Sequence, residues 1–155
     1  GVRPNALYWH FPNKQSMLAA LAENILATIP GPAPDIDWAT DVHRLATDMR
    51  AALLAVPDSA EVVSSAWASG LAERGMETTI VDVAVAGGLP PQVAAGLATA
   101  ICQLTIGLTI EEQTRTQMER LGVTGPSGRL FTDEFEAALE VILDGARFRA
   151  TSADT

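Results

Sequence analysis

The chain has 155 residues, 48% of them hydrophobic and 19% charged. That is enough apolar material for one good core with a small appendage, and it excludes a disordered chain. A single cysteine, Cys102, excludes an internal disulfide framework and a cysteine-based zinc site. Net charge is −9, which argues against a uniformly nucleic-acid-coating protein, although its distribution is uneven. Residues 1–27 carry Arg3, Lys14 and one acid, Glu23; the remaining residues carry eight arginines and eighteen acids. A near-neutral head on an acidic body suits a nucleic-acid tip attached to a sensing domain. No uninterrupted apolar run approaches the roughly 18 residues a membrane span needs, and no signal peptide is legible. A soluble, cytoplasmic protein without a membrane partner is expected. The chain opens without Met on Gly1-Val2, which reads as the inside of a turn, so further residues are expected upstream.

The elements are helical throughout. Pro4 suits the first turn of a short helix running to Phe11, and Pro12-Asn13 breaks it. A second helix is predicted over 14–28, with Met17, Leu18, Leu21, Ile25 and Leu26 at helical spacing. Pro30-Gly31-Pro32-Ala33-Pro34 reads as a stiff linker. Helical patterning resumes at Trp38 and runs through Leu45, Met49 and Leu53 to Val56, where Pro57-Asp58-Ser59 stops it and caps a helix over 59–69. Further helices are predicted over 71–86, from Pro90-Pro91 to Met118, and from Phe131 onward. On the last, Phe131, Phe135, Leu139, Ile142 and Ala146 form one apolar line. Residues 122–128 read as a flexible loop and 150–155 as a polar, frayed tail. The expected fold is all-α. Residues 1–28 would be the C-terminal part of a helix-turn-helix head, 29–37 a linker, and 38–149 a helical bundle for ligand binding and dimerisation.

Function is carried by the first fourteen residues. A helix that exposes Arg, Asn, Tyr and His near its start suits a DNA groove, since Arg and Asn read base edges while Tyr, His and Lys donate to phosphates. Lys14 opens the next helix and adds a phosphate contact. Periodicity alone leaves open that the aromatics are core and the charges merely solvated.

The stretch Ala6-Leu7-Tyr8-Trp9-His10-Phe11-Pro12-Asn13-Lys14, after Gly1-Val2, resembles the recognition helix and exit of TetR-family repressors. Thr105-Ile106-Gly107-Leu108-Thr109-Ile110-Glu111-Glu112-Gln113 is similar to the long helix of the tetracycline-repressor subclass, and Phe135 to Gly145 to its last helix. The resemblance implies DNA contacts from Arg3, Asn5, Ala6, Tyr8, His10 and Lys14. It implies packing roles for Val2, Leu7 and Leu18. It also implies a homodimer built from the last two long helices, with Ile101, Thr105, Phe135, Leu139 and Ile142 as interface residues, binding a palindromic double-stranded operator. The first two helices of the family's head are absent from this stretch, so the DNA-binding function belongs to the intact protein.

A small-molecule effector is implied as well. In tetracycline-responsive members a histidine ligates magnesium where this chain has Val63, and polar and aromatic drug contacts fall where it has Leu45 and Met49. Glu111 matches an acid that assists the metal through water. One such acid cannot hold magnesium, which wants several oxygen ligands; no metal and no cofactor are expected. An apolar pocket is expected instead, drawn from Met49, Val63, Trp67, Met76, Leu104 and Leu108 with Gln103 or Thr105 as polar anchors; ordinary core is the alternative for each. His43 reads as a solvated helix residue, too far from His10 for a metal pair, and Cys102 as a small packed hydrophobe. No nucleophile–base arrangement or Gly-rich phosphate loop is present, so no enzyme is expected. The alternative function is a binding and dimerisation module without DNA binding.

Overall fold

The computed structural model describes residues 13–152. Among them are six α-helices and no strand: α1 (Lys14–Leu26), α2 (Trp38–Leu54), α3 (Ser59–Ala68), α4 (Gly75–Ala86), α5 (Pro91–Arg120) and α6 (Phe131–Ser152). The all-α expectation holds. Arg3, Asn5, Ala6, Tyr8 and His10 lie outside the described residues.

Local chemistry sets the boundaries. The Asn13 side chain caps α1 by accepting from the Ser16 N–H at 2.8 Å, and Asp37 caps α2 through the N–H groups of Ala39 and Thr40. Helix α3 ends at Gly70, whose φ of +71° suits only glycine comfortably. Residues 71–74 were expected to be helical and are not. The Leu71 and Ala72 N–H groups both turn back to the Ala66 carbonyl, finishing α3 rather than starting α4. Arg74 then lies over the Trp67 ring at 5.2 Å, so α4 begins only at Gly75. The end of α6 also departs from expectation. It runs on to Ser152, where the hydroxyls of Thr151 and Ser152 donate to the Phe148 carbonyl.

One core joins all six helices. Helix α1 contributes Ala19, Ala22 and Ile25, packed with Val42, Leu45 and Met49 of α2, Val63 and Trp67 of α3, Ile80 of α4, Ile101 of α5 and Phe135 and Leu139 of α6. Burying the valine, leucine, isoleucine, methionine and phenylalanine side chains among these stabilises by about 1.5–3 kcal/mol each. The 30–34 stretch is fastened to the body. The buried Asp41 carboxylate accepts from the Ala33 N–H at 3.1 Å and from Arg44, while Arg44 donates to the Gly31 carbonyl at 2.8 Å. The stretch predicted as a flexible loop is tied at two points, and a third tie sits just beyond it. Arg115 donates to the Gly125 carbonyl, Glu119 accepts from the Ser127 N–H, and Arg129 bridges Glu111 and Glu134.

Two further polar links cross the bundle. Arg50 of α2 pairs with Glu112 of α5 at 2.5 Å and donates to Thr132 of α6. His43 was expected to be solvated; it is half-buried, and its Nε2 lies 2.8 Å from a Glu136 carboxylate oxygen. Helix α5 is long and apolar enough to cross a membrane, with a mean hydropathy of 1.8 over its best 18 residues. The uncharged polar residues Gln92, Thr99, Gln103 and Thr105 divide its apolar stretch in the sequence, which is why no uninterrupted run marks it. Here α5 is the central packing helix, burying Ala94, Leu97, Ala98, Ile101, Cys102, Thr105, Ile106 and Thr109.

Candidate functional site

Three surfaces bear on function: the start of α1, a cavity beside its end, and a groove between α5 and α6. Lys14 is exposed in the first turn of α1. The first-turn N–H groups that Asn13 leaves uncapped and the positive end of the helix dipole lie beside that ammonium.

The cavity, about 280 Å³, opens between the end of α1, the 29–31 turn, α2 and the start of α4. Its apolar wall includes Leu26, Ile29, Leu45 and Met76, and Glu23 and Glu73 stand on it. Of the residues predicted to bind a ligand, only Met76 reaches this cavity. Met49 and Val63 are completely buried in the core and Trp67 nearly so, so a molecule could touch them only after the core opened. Leu104 and Leu108 are half-buried and pack against that core. Gln103, predicted as a polar anchor, is exposed on the outer side of α5 and faces away from any enclosed space. Thr105 is not an available anchor either, because it is fully buried and its hydroxyl donates to the Ile101 carbonyl at 2.8 Å. What the pattern missed was the short turn after α1: Ile29, the first residue of the predicted linker, forms part of the cavity wall. Glu111, the acid implied to assist a metal, is held by Arg129 at 2.7 Å.

The groove, about 650 Å³, runs between the first half of α5 and the second half of α6, lined among others by Val93, Gly96, Ala100, Ile142 and Gly145. The predicted interface residues need correction. Ile101, Thr105, Phe135 and Leu139 are at most 1% exposed, since the apolar line read from the sequence is the face each helix turns to its own core. Ile142 alone of that set borders the groove. The outward face of α6 instead carries Ala137, Val141, Gly145 and Phe148 at helical spacing, with Val141 73% and Phe148 72% exposed. On α5 the corresponding outer line is Gly96, Ala100, Gln103 and Gly107. The signal for this second face was present in Val141 and Phe148, but the longer apolar line obscured it.

A family model described as "Tetracyclin repressor-like, C-terminal domain" matches residues 31–124, more than half of the chain. The chain belongs to the TetR family. The class A tetracycline repressor from transposon 1721 of Escherichia coli is 34% identical over 116 residues, covering 73% of this chain and 53% of that protein. The chain thus spans about half the length of the curated relatives it matches. Among solved structures, BioQ of Mycobacterium smegmatis superposes with a TM-score of 0.79 at 35% identity, covering 96% of this chain and 81% of that one. A BioQ structure with its natural double-stranded DNA operator superposes with a TM-score of 0.74 at 31% identity, covering 94% and 79%. The six-helix arrangement described above is therefore the TetR arrangement.

Proposed function

We propose that the intact protein is a transcriptional repressor that binds a palindromic operator as a homodimer and is released by a small, largely apolar effector. The observation that carries this reading is the likeness to BioQ, a relative seen on its own double-stranded operator. The position of Lys14 at the open end of α1, next to the Leu7-Tyr8-Trp9-His10 segment, adds to it. On this reading Arg3, Asn5, Ala6, Tyr8, His10 and Lys14 contact DNA, and no catalytic step is assigned to any residue.

Homodimer formation rests on the outer faces of α5 and α6. Small residues on α5 allow close backbone approach, and Val141 and Phe148 are too large and apolar to be at ease in water. A two-fold pairing would place the same patch on both subunits and set the two heads at a fixed spacing, which is what a palindromic site requires. Phe148→Asp is expected to shift the protein towards monomer in sedimentation velocity and to abolish operator binding.

The direct test is an operator-shift titration with the intact protein. Tyr8→Ala and Lys14→Ala should each weaken binding, and Lys14→Ala should also lower the slope of log affinity against log salt by about one. Unchanged affinity and slope in both variants would remove these residues from the contact set. A protein that binds no operator would overturn the repressor reading.

A further inference from the structure

We infer that Gln113 of α5 positions the DNA-binding head: its side-chain amide fixes where α3 starts, and α3 carries α1, the helix that follows the segment expected to contact DNA. This rests on the repressor reading and adds the joint through which the body sets the place of the head.

Helix α3 does not secure its own start. Its N-cap residue, Asp58, makes no side-chain capping bond and adopts a left-handed φ of +58°, which a non-glycine residue holds only where its surroundings impose it. The cap comes from another helix. The Gln113 oxygen accepts from the Ala60 N–H at 3.4 Å, and its NH2 donates to the Leu53 and Val56 carbonyls at 2.9 Å each. One planar amide therefore orients the end of α2 and the start of α3 against α5. The Ser59 hydroxyl donates to the Leu53 carbonyl and so ties α3 to α2 alone. The polar reference to α5 lies with Gln113.

Helix α1 is attached differently. Its buried residues are Ala19, Ala22 and Ile25, and α3 is its main neighbour. Among the described residues its side-chain hydrogen bonds stay at its own ends, from Ser16 to Asn13 and from Thr28 to the Ile25 carbonyl, and none reaches another helix. Apolar contact carries no direction, and alanine at Ala19 and Ala22 leaves few ridges to lock α1 in one register. The place of α1 thus follows that of α3.

Hydrogen exchange on this chain and operator binding by the intact protein test the inference. Gln113→Met keeps the length of the side chain and removes its bonds. Gly87→Ala serves as the control, since it strains the Trp38 contact at the opposite end of α2 and leaves the joint alone. In Gln113→Met, amides at the start of α3 and along α1 should exchange on the order of tenfold faster, as the loss of hydrogen bonds at one joint gives, with those of α4 unchanged. The control should not speed exchange in α1. Operator-shift titrations then compare an operator with the same operator carrying one extra base pair between its half-sites. The ratio of the two affinities should fall by about tenfold in Gln113→Met and hold in Gly87→Ala, because a loosely seated head tolerates a wrong spacing. Lower stability by itself would reduce the active fraction and leave that ratio alone. Unchanged exchange in α1, equal acceleration in the control, or an unchanged ratio overturns the positioning role. If the intact protein binds no operator, the repressor reading fails, while the exchange result still decides whether Gln113 seats α1.

Discussion

Gln113 holds the joint between α2 and α3 from the outside, and replacing it should loosen that joint by a predictable amount. Its side-chain NH2 donates to the carbonyls of Leu53 and Val56 at 2.9 Å each, and its oxygen accepts from the Ala60 N–H at 3.4 Å. The amide orientation follows from the partners, since two carbonyls require a donor and one N–H requires an acceptor. These are the groups a helix end and a helix start leave unsatisfied. Gln113→Ala removes all three bonds. The Leu53 carbonyl keeps the Ser59 hydroxyl, and the Val56 carbonyl keeps the Ser59 N–H. The Ala60 N–H loses its side-chain acceptor. At about 0.5–1.5 kcal/mol per bond and with two acceptors still served, the expected loss is about 2 kcal/mol. For a chain of this size that lowers Tm by about 4–8 °C. Gln113→Glu should be worse than Ala, because it sets a carboxylate against two carbonyl oxygens. Urea and thermal unfolding followed by far-UV circular dichroism measure both. A Gln113→Ala protein within about 0.5 kcal/mol of the parent, or a Gln113→Glu protein as stable as the parent, would refute the reasoning.

Three more outcomes are expected. At Gly87 the backbone angles are ordinary, φ −78° and ψ 2°, so alanine would suit the chain locally; but a Cβ there would lie 2.6 Å from Trp38 Cγ, and Gly87→Ala should lower stability by about 1–3 kcal/mol in urea unfolding, with any rise counting against the packing described. The Cys102 thiol is completely buried, and burial, then the Glu77 charge, pushes its pKa up to about 12. It should therefore resist Ellman's reagent in the folded protein and react fully only on unfolding, and rapid labelling under native conditions would contradict this burial. Asp37, Glu119 and Glu134 are each held below the ordinary carboxylate range, chiefly by side-chain hydrogen bonds from Thr40, Arg115 and Arg129 respectively. Their folded-state values lie below the unfolded ones, so their contribution is present above about pH 4–5 and is lost as pH falls through the lowered values. The urea midpoint should fall with acid over that range, and a midpoint flat down to pH 3 would contradict it.

The helices were legible because their apolar positions recur at three and four residues and because Pro and Gly mark the ends. Pro57, Gly70 and Pro90-Pro91 all stand where the structure turns. The site residues were harder for a physical reason. Periodicity reports which side of a helix is buried, and it does not report what buries it. Phe135 and Leu139 form as clean a line as any interface would, yet their own subunit covers them. Met49 and Val63 look like pocket residues in sequence and are core for the same reason. The residues that do remain available, Val141 and Phe148 on α6 or Ile29 beside the cavity, each break a pattern rather than complete one. Polar contacts such as Arg50–Glu112 and His43–Glu136 join positions 62 and 93 residues apart, and no local rule relates them.

The arrangement suggests how effector and operator would be linked. Helix α1 packs on α3, and α3 begins where Gln113 of α5 grips it. Helix α5 in turn carries one of the outer faces assigned to the dimer. The seat of α1 is thus referenced, through two contacts, to the surface that would fix the spacing of the heads. The cavity beside its end lies on this helix too, bounded by α2 and α4 rather than by α3. A molecule bound there therefore meets α1 from outside that chain of contacts and can move it only by favouring one seat over another. The size of the demand is set by arithmetic: a swing from 99% operator-competent to 1% needs about a 10⁴-fold difference in effector affinity between the two seats.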